Sequence, residues 1–86
     1  MARTITENLY YGKSQQITAD GCFAISFFRP STSNPVQING IPLEAGQTLS
    51  IKQNVGDEDW SVYEIVFYSG TDTNEMYVTK IMPIRN

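Results

Sequence analysis

The chain has 86 residues and a mass of 9.7 kDa, enough for one small hydrophobic core and too little for two. Its 41% apolar and 17% charged residues are a globular composition, and its longest apolar runs, Cys22–Ile25 and Ile65–Tyr68, fall far short of the ~20 residues of a membrane-spanning helix. Net charge is −3 with a pI near 4.6 and no two basic residues adjacent, so the electrostatic footprint of nucleic-acid binding is missing, and neither nucleic acid nor a membrane is expected as a partner.

Period-two patterns and turn residues run the length of the chain, and no helical pattern of useful length interrupts them. Thr4–Tyr11, rich in Thr, Ile and Tyr, predicts a strand ending at Gly12, and Gln15–Thr18 a short second one closed by Ala19-Asp20-Gly21. Cys22–Arg29 predicts a third strand, with Phe23, Ile25 and Phe27 on one face and Ala24, Ser26 and Phe28 on the other. Pro30 ends it, and a polar loop follows to Pro35. In Val36–Leu43 the pair Asn39-Gly40 lies between apolar flanks, the signature of a type I′ hairpin in which both central residues take positive φ. Pro42 cannot donate to a ladder, so the return arm is short or lies at an edge. Glu44–Gln47 is a turn and Thr48–Gln53 a strand with Leu49 and Ile51 on one face. After a loop over Asn54–Asp59, Trp60–Tyr68 reads as the longest strand and, being apolar on both faces, as a central one. Ser69–Asn74 is a turn and Glu75–Met82 the last strand, stopped at Pro83. About seven short strands at this spacing predict an all-β fold, a small antiparallel β-sandwich or barrel forming one domain over residues 1–86.

Chemistry-bearing constellations are few. Without His, the commonest general base and metal ligand is unavailable, and no Ser-His-Asp or Cys-His arrangement is possible within the chain. The lone Cys22, followed by Phe23-Ala24-Ile25, predicts a small buried hydrophobe, not half of a disulfide. Gly12-Lys13-Ser14 matches only the end of a phosphate-binding loop, because Glu7 stands where the first Gly belongs. Asp57-Glu58-Asp59 and Asp72-x-Asn74-Glu75 lack the alternating spacing that wraps a calcium ion and read as solvated loops. No enzyme activity, cofactor or metal is therefore expected. Residues 1–7 lack the charged-then-apolar layout of a signal peptide, which predicts synthesis and folding in a cytoplasm without export.

What remains is surface. So short a β-domain cannot bury all its aliphatic and aromatic strand residues in one core, and its edge strands need pairing or protection. Association through aromatics is the expectation, with Tyr10, Tyr11, Phe28, Trp60 and Tyr68 as the interface candidates. Phe23–Phe28, the Asn39-Gly40 hairpin, Leu43-x-x-Gly46-Gln47-Thr48-Leu49-Ser50-Ile51 and Tyr63-x-Ile65-x-Phe67 together resemble small β-sandwich virion proteins of tailed bacteriophages, among them head-decoration, head-fibre and neck or tail accessory proteins. The likeness spans residues 23–68. It implies an oligomeric structural protein without shared catalytic residues, made in the host bacterial cytoplasm and carried in the virion, whose partners are copies of itself or a larger viral structural protein. The alternative is a small carbohydrate- or protein-binding module, with a glycan as partner and a role in host recognition.

Overall fold

Residues 4–84 are described here in a computed structural model. They form eight strands: β1 (Thr4–Tyr11), β2 (Gln15–Thr18), β3 (Ala24–Phe28), β4 (Val36–Ile38), β5 (Ile41–Leu43), β6 (Thr48–Lys52), β7 (Val62–Phe67) and β8 (Met76–Pro83). Every pairing is antiparallel, in two four-stranded sheets ordered β1-β8-β3-β6 and β2-β7-β4-β5. The fold is the expected all-β sandwich, with eight strands where about seven were expected. Apart from the β4–β5 hairpin, strands consecutive in the chain alternate between the sheets, in the order of a jelly roll, two Greek keys wrapped around one core.

Four strands have bounds other than those read from the sequence: β6 ends at Lys52, one residue before Gln53, and three differ more, for tertiary reasons. The strand expected over Cys22–Arg29 is shortened to β3, because Cys22 instead makes an isolated bridge to Asp59 and Arg29 exchanges backbone bonds with the Gly46–Gln47 turn. Trp60–Tyr68 is not the longest strand. β7 covers only Val62–Phe67, while β1 and β8 run longer because they pair without interruption from Thr4↔Pro83 to Tyr11↔Met76. Pro83 is thus the last residue of β8 and not the stop beyond it. β7 is nevertheless central, between β2 and β4, and β5 with its Pro42 is an edge strand, as expected.

The Asn39-Gly40 turn has the predicted geometry, with φ of 50° and 81°. It is also tied down. The Asn39 side-chain oxygen accepts the Glu64 N–H at 2.8 Å, and the Asn39 N–H donates to the Glu64 carbonyl. A Cβ at Gly40 would meet nothing within 4 Å, so the need for glycine is conformational. Gly40→Val is expected to cost about 1–3 kcal/mol through backbone strain alone, read as a lowered urea midpoint; an unchanged midpoint would show that the turn tolerates a β-branched residue.

Alternation places Ile25 and Phe27 of β3, Met76 and Val78 of β8, Val36 and Ile38 of β4 and Ile65 of β7 between the sheets, all essentially inaccessible to solvent. Phe27 and Tyr63 meet across the layer with centroids 5.3 Å apart and planes tilted by 56°. The registers collect the loops into two groups. One end of the sandwich carries the loops at 12–14, 29–35, 44–47 and 68–75; the other carries those at 19–23, 39–40 and 53–61.

Candidate functional site

The titratable groups drawn into the interior lie at the second of these ends. Lys80 occupies an inward position of β8 and is almost fully buried; its ammonium donates to the Thr18 carbonyl at 2.8 Å and to Asp20 Oδ2 at 3.2 Å. Asp20 sits in the left-handed region at φ 56°. A hydrogen bond from the Thr18 hydroxyl and a second from Lys80 hold its carboxyl below the ordinary range. Asp59, the last residue of the acidic run, turns inward: burial works against its charge, but hydrogen bonds from the Tyr63 hydroxyl at 2.5 Å and the Ser61 N–H at 2.8 Å outweigh it and keep the carboxyl below the usual value. Backbone bonds between Asp59 and both Gly21 and Cys22 clamp the 53–61 loop onto the 19–22 turn.

This arrangement is structural in its chemistry. Burial, then the neighbouring Asp59 charge, pushes the Cys22 thiol upward, so it stays protonated and non-nucleophilic. Each buried carboxylate, hydroxyl and ammonium in the cluster is committed to a hydrogen bond. Among the described residues no three His, Cys, Asp or Glu side chains converge on a point where a cation would be held.

The other polar sequence motifs are absorbed by loop closure at the opposite end. The Ser14 hydroxyl accepts the Phe67 N–H, Asn74 accepts from the Asn34 amide, and the Glu75 N–H donates to the buried Ser33 hydroxyl while its carboxylate accepts from Thr32. Asn34 also accepts the Asp72 N–H at 2.9 Å. Gly70 is pressed against this amide: a Cβ there would lie 2.5 Å from Asn34 Oδ1 and 3.2 Å from its Cγ. Asn34 is buried and held from both sides, so it cannot swing clear. Gly70→Ala is therefore expected to break one or both of these bonds and lose about 1–3 kcal/mol. Thermal melts would test this, and wild-type stability would mean that the loop relaxes freely.

Although Ile41, Val62 and Tyr68 are exposed on the other sheet, an extended exposed surface is the outer face of the β1-β8-β3-β6 sheet. The registers stack three rows across it. Tyr10, Tyr77 and Phe28 are directly opposite one another on β1, β8 and β3, all three are exposed, and the two tyrosine rings lie 5.2 Å apart. The next row is Asn8, Thr79, Ser26 and Ser50, with hydrogen bonds from Thr79 to Asn8 and between the two serines. In the third row Ala24 and Ile81 floor a recess of about 520 Å³, walled by Phe23, Lys52 and the 53–56 segment, at whose lip Val55 is fully exposed. One face thus offers aromatic rings, a hydroxyl and amide band, and an apolar hollow.

The structure brings only two of the five predicted interface residues together, Tyr10 and Phe28. Tyr11, one position along β1, points inward and packs half-buried against the core. Tyr68 follows β7, in the opposite sheet, where its N–H bonds the Pro35 carbonyl. Trp60 is exposed on the 53–61 loop at the Lys80 end. Tyr77 completes the aromatic row and is not among the interface residues expected from the sequence. The alternation of β8 puts it outward, but only the pairing of β8 between β1 and β3 reveals its neighbours.

Comparison of the chain with protein-family models, with curated proteins and with solved structures finds no match.

Proposed function

We propose that the chain is a non-enzymatic structural component of a bacteriophage virion, working through protein–protein contacts on the outer face of the β1-β8-β3-β6 sheet. The observation that carries this is the layout of that face, where the Tyr10–Tyr77–Phe28 row and the Ala24–Ile81 hollow align exposed apolar surface across three strands of a small sandwich. Covering such surface is favourable at about 25 cal/mol per Å², and a large exposed apolar patch is the usual mark of a partner surface. Jelly rolls are a recurring architecture of viral capsid domains, in keeping with the sequence resemblance to phage virion proteins. The interior charges support the same conclusion, since they are spent on closing loops.

The fold is equally familiar in lectins, and one observation favours a glycan on the same face. The hydroxyl band of Asn8, Thr79, Ser26 and Ser50 runs directly beside the aromatic row, and a pyranose presents the matching combination of an apolar ring face and peripheral hydroxyls.

Density-gradient purification of phage particles made with wild-type chain or with the Phe28→Ser/Tyr77→Ser double variant tests the proposal. Wild-type chain should band with the particles. The variant, verified as folded by circular dichroism, should be lost from them. Chain absent from particles, combined with glycan binding that the same double variant abolishes, would replace the virion component with the glycan-binding module.

A further inference from the structure

Each sheet of a sandwich has two edges, and an unprotected edge is a template for another strand. Three of the four edges here are blunted. β5 is very short and carries Pro42, β2 is very short, and β6 ends in Lys52. The fourth edge is β1. It is one of the two longest strands, runs against β8 without a bulge, contains no Pro, Lys or Arg, and has Glu7 as its one charge. Its far side pairs with no strand among the described residues. The side chains of Thr4 through Asn8 are all exposed, including Ile5, which occupies an inward position opposite Met82 yet remains 57% accessible.

We infer that β1 pairs antiparallel with β1 of a second copy, fusing the two β1-β8-β3-β6 sheets into one continuous sheet. This rests on the reading of the chain as an assembly component and names one of its partners. The register follows from chemistry. A two-fold axis perpendicular to the sheet keeps inward side chains facing inward ones, so the axis must pass midway between one residue of β1 and the same residue of the second copy. Only registers centred on Glu7 or on Asn8 overlap almost the whole strand. The first sets two Glu7 carboxylates directly opposite each other, which is unfavourable. The second places Asn8 against Asn8, Thr6 against Tyr10, and the uncovered Ile5 against Tyr11 of the second copy. It also carries the Ser50–Ser26–Thr79–Asn8 band across the axis into its own copy, so that the outer face doubles without a break.

A single-strand seam lies at the small end of specific interfaces, so association is expected at roughly 10–100 µM. Sedimentation equilibrium of the full chain should show its mass rising from 9.7 kDa towards twice that value over this range. Asn8→Lys and Asn8→Asp each set like charges opposite one another and should weaken association roughly fivefold or more; an equimolar mixture of the two should restore it. Asn8→Cys should form a disulfide-linked dimer on mild oxidation, because directly opposed strand residues lie within bridging distance, and Glu7→Cys should not. Circular dichroism verifies that each variant is folded. A wild-type chain that stays monomeric to about 1 mM, association indifferent to both charge variants, or cross-linking by Glu7→Cys in place of Asn8→Cys would each overturn the inference. A monomeric wild-type chain that still bands with particles would defeat the self-pairing alone and leave the proposed function standing.

Discussion

Phe27→Ala is expected to cost about 3–5 kcal/mol and to leave the chain largely unfolded at 37 °C. Phe27 is inaccessible to solvent and is among the largest side chains fully enclosed between the sheets, meeting Tyr63 across the core and flanked in its own sheet by Val78 and Leu49. Truncation removes its transfer free energy and leaves a cavity that two hydrogen-bonded sheets close only in part. Small domains have only about 5–15 kcal/mol in total, and one of this size belongs at the lower end. Urea denaturation followed by Tyr and Trp fluorescence is the measurement; a loss below about 1 kcal/mol would mean that the sheets collapse onto the gap.

Asp59→Ala is expected to cost about 2–4 kcal/mol, because it strands the Tyr63 hydroxyl and the Ser61 N–H that now donate to a buried carboxylate. The same site sets a pH dependence. Asp59 and Asp20 both titrate below the ordinary aspartate value in the folded chain, whereas in the unfolded chain they titrate near 3.9. Between those values the unfolded state binds more protons, so the stability they contribute is complete above about pH 4 to 5. It is lost as pH falls through their folded-state values. Tyr63 and Cys22 act at the other limit. Burial raises both, helped at Tyr63 by the hydrogen bond it donates to Asp59. In the unfolded chain these groups ionise near pH 10 and 8.5, so stability also declines as pH rises beyond that range. Urea midpoints measured from pH 3 to 11 should trace a plateau with two falling limbs, and Asp59→Asn should flatten part of the acid limb. Equal midpoints at pH 3 and pH 7 would refute the assignment.

Much of this architecture is legible in the sequence because local chemistry and tertiary outcome agree there. β1 and β2 begin and end where composition and Gly12 or Asp20-Gly21 place them, and the Asn39-Gly40 turn takes the φ values its side chains favour. Disagreement appears where a distant partner decides. Cys22 leaves its strand for Asp59, and Pro83 joins β8 because Thr4 is opposite it. The outer face was legible only in pieces. Alternation turns Tyr10, Phe28 and Tyr77 outward one strand at a time, but their alignment depends on β8 lying between β1 and β3, a long-range pairing that no local pattern encodes. Lys80 was invisible for the same reason. A lysine amid Tyr, Val, Thr and Ile reads as the solvent-facing member of an alternating strand until Thr18 and Asp20 are found opposite its ammonium.

The position of β8 bears on how the chain comes to be folded. It comes after the other seven described strands in chain order, yet it fills the slot between β1 and β3. Until residues 76–83 emerge, the first and third strands have no shared neighbour, and the first sheet cannot close. Folding of this domain therefore waits on residues 76–83 and on a long-range pairing that sets Thr4 opposite Pro83, the high-contact-order regime in which β-proteins fold in milliseconds to seconds. During that wait β1 is open along both sides, with Thr, Ile, Leu and Tyr in an extended run. The nascent chain is then at its greatest risk of pairing with its neighbours, so translation speed through residues 76–83 and chaperone supply should govern yield more strongly than any change made on the finished surface.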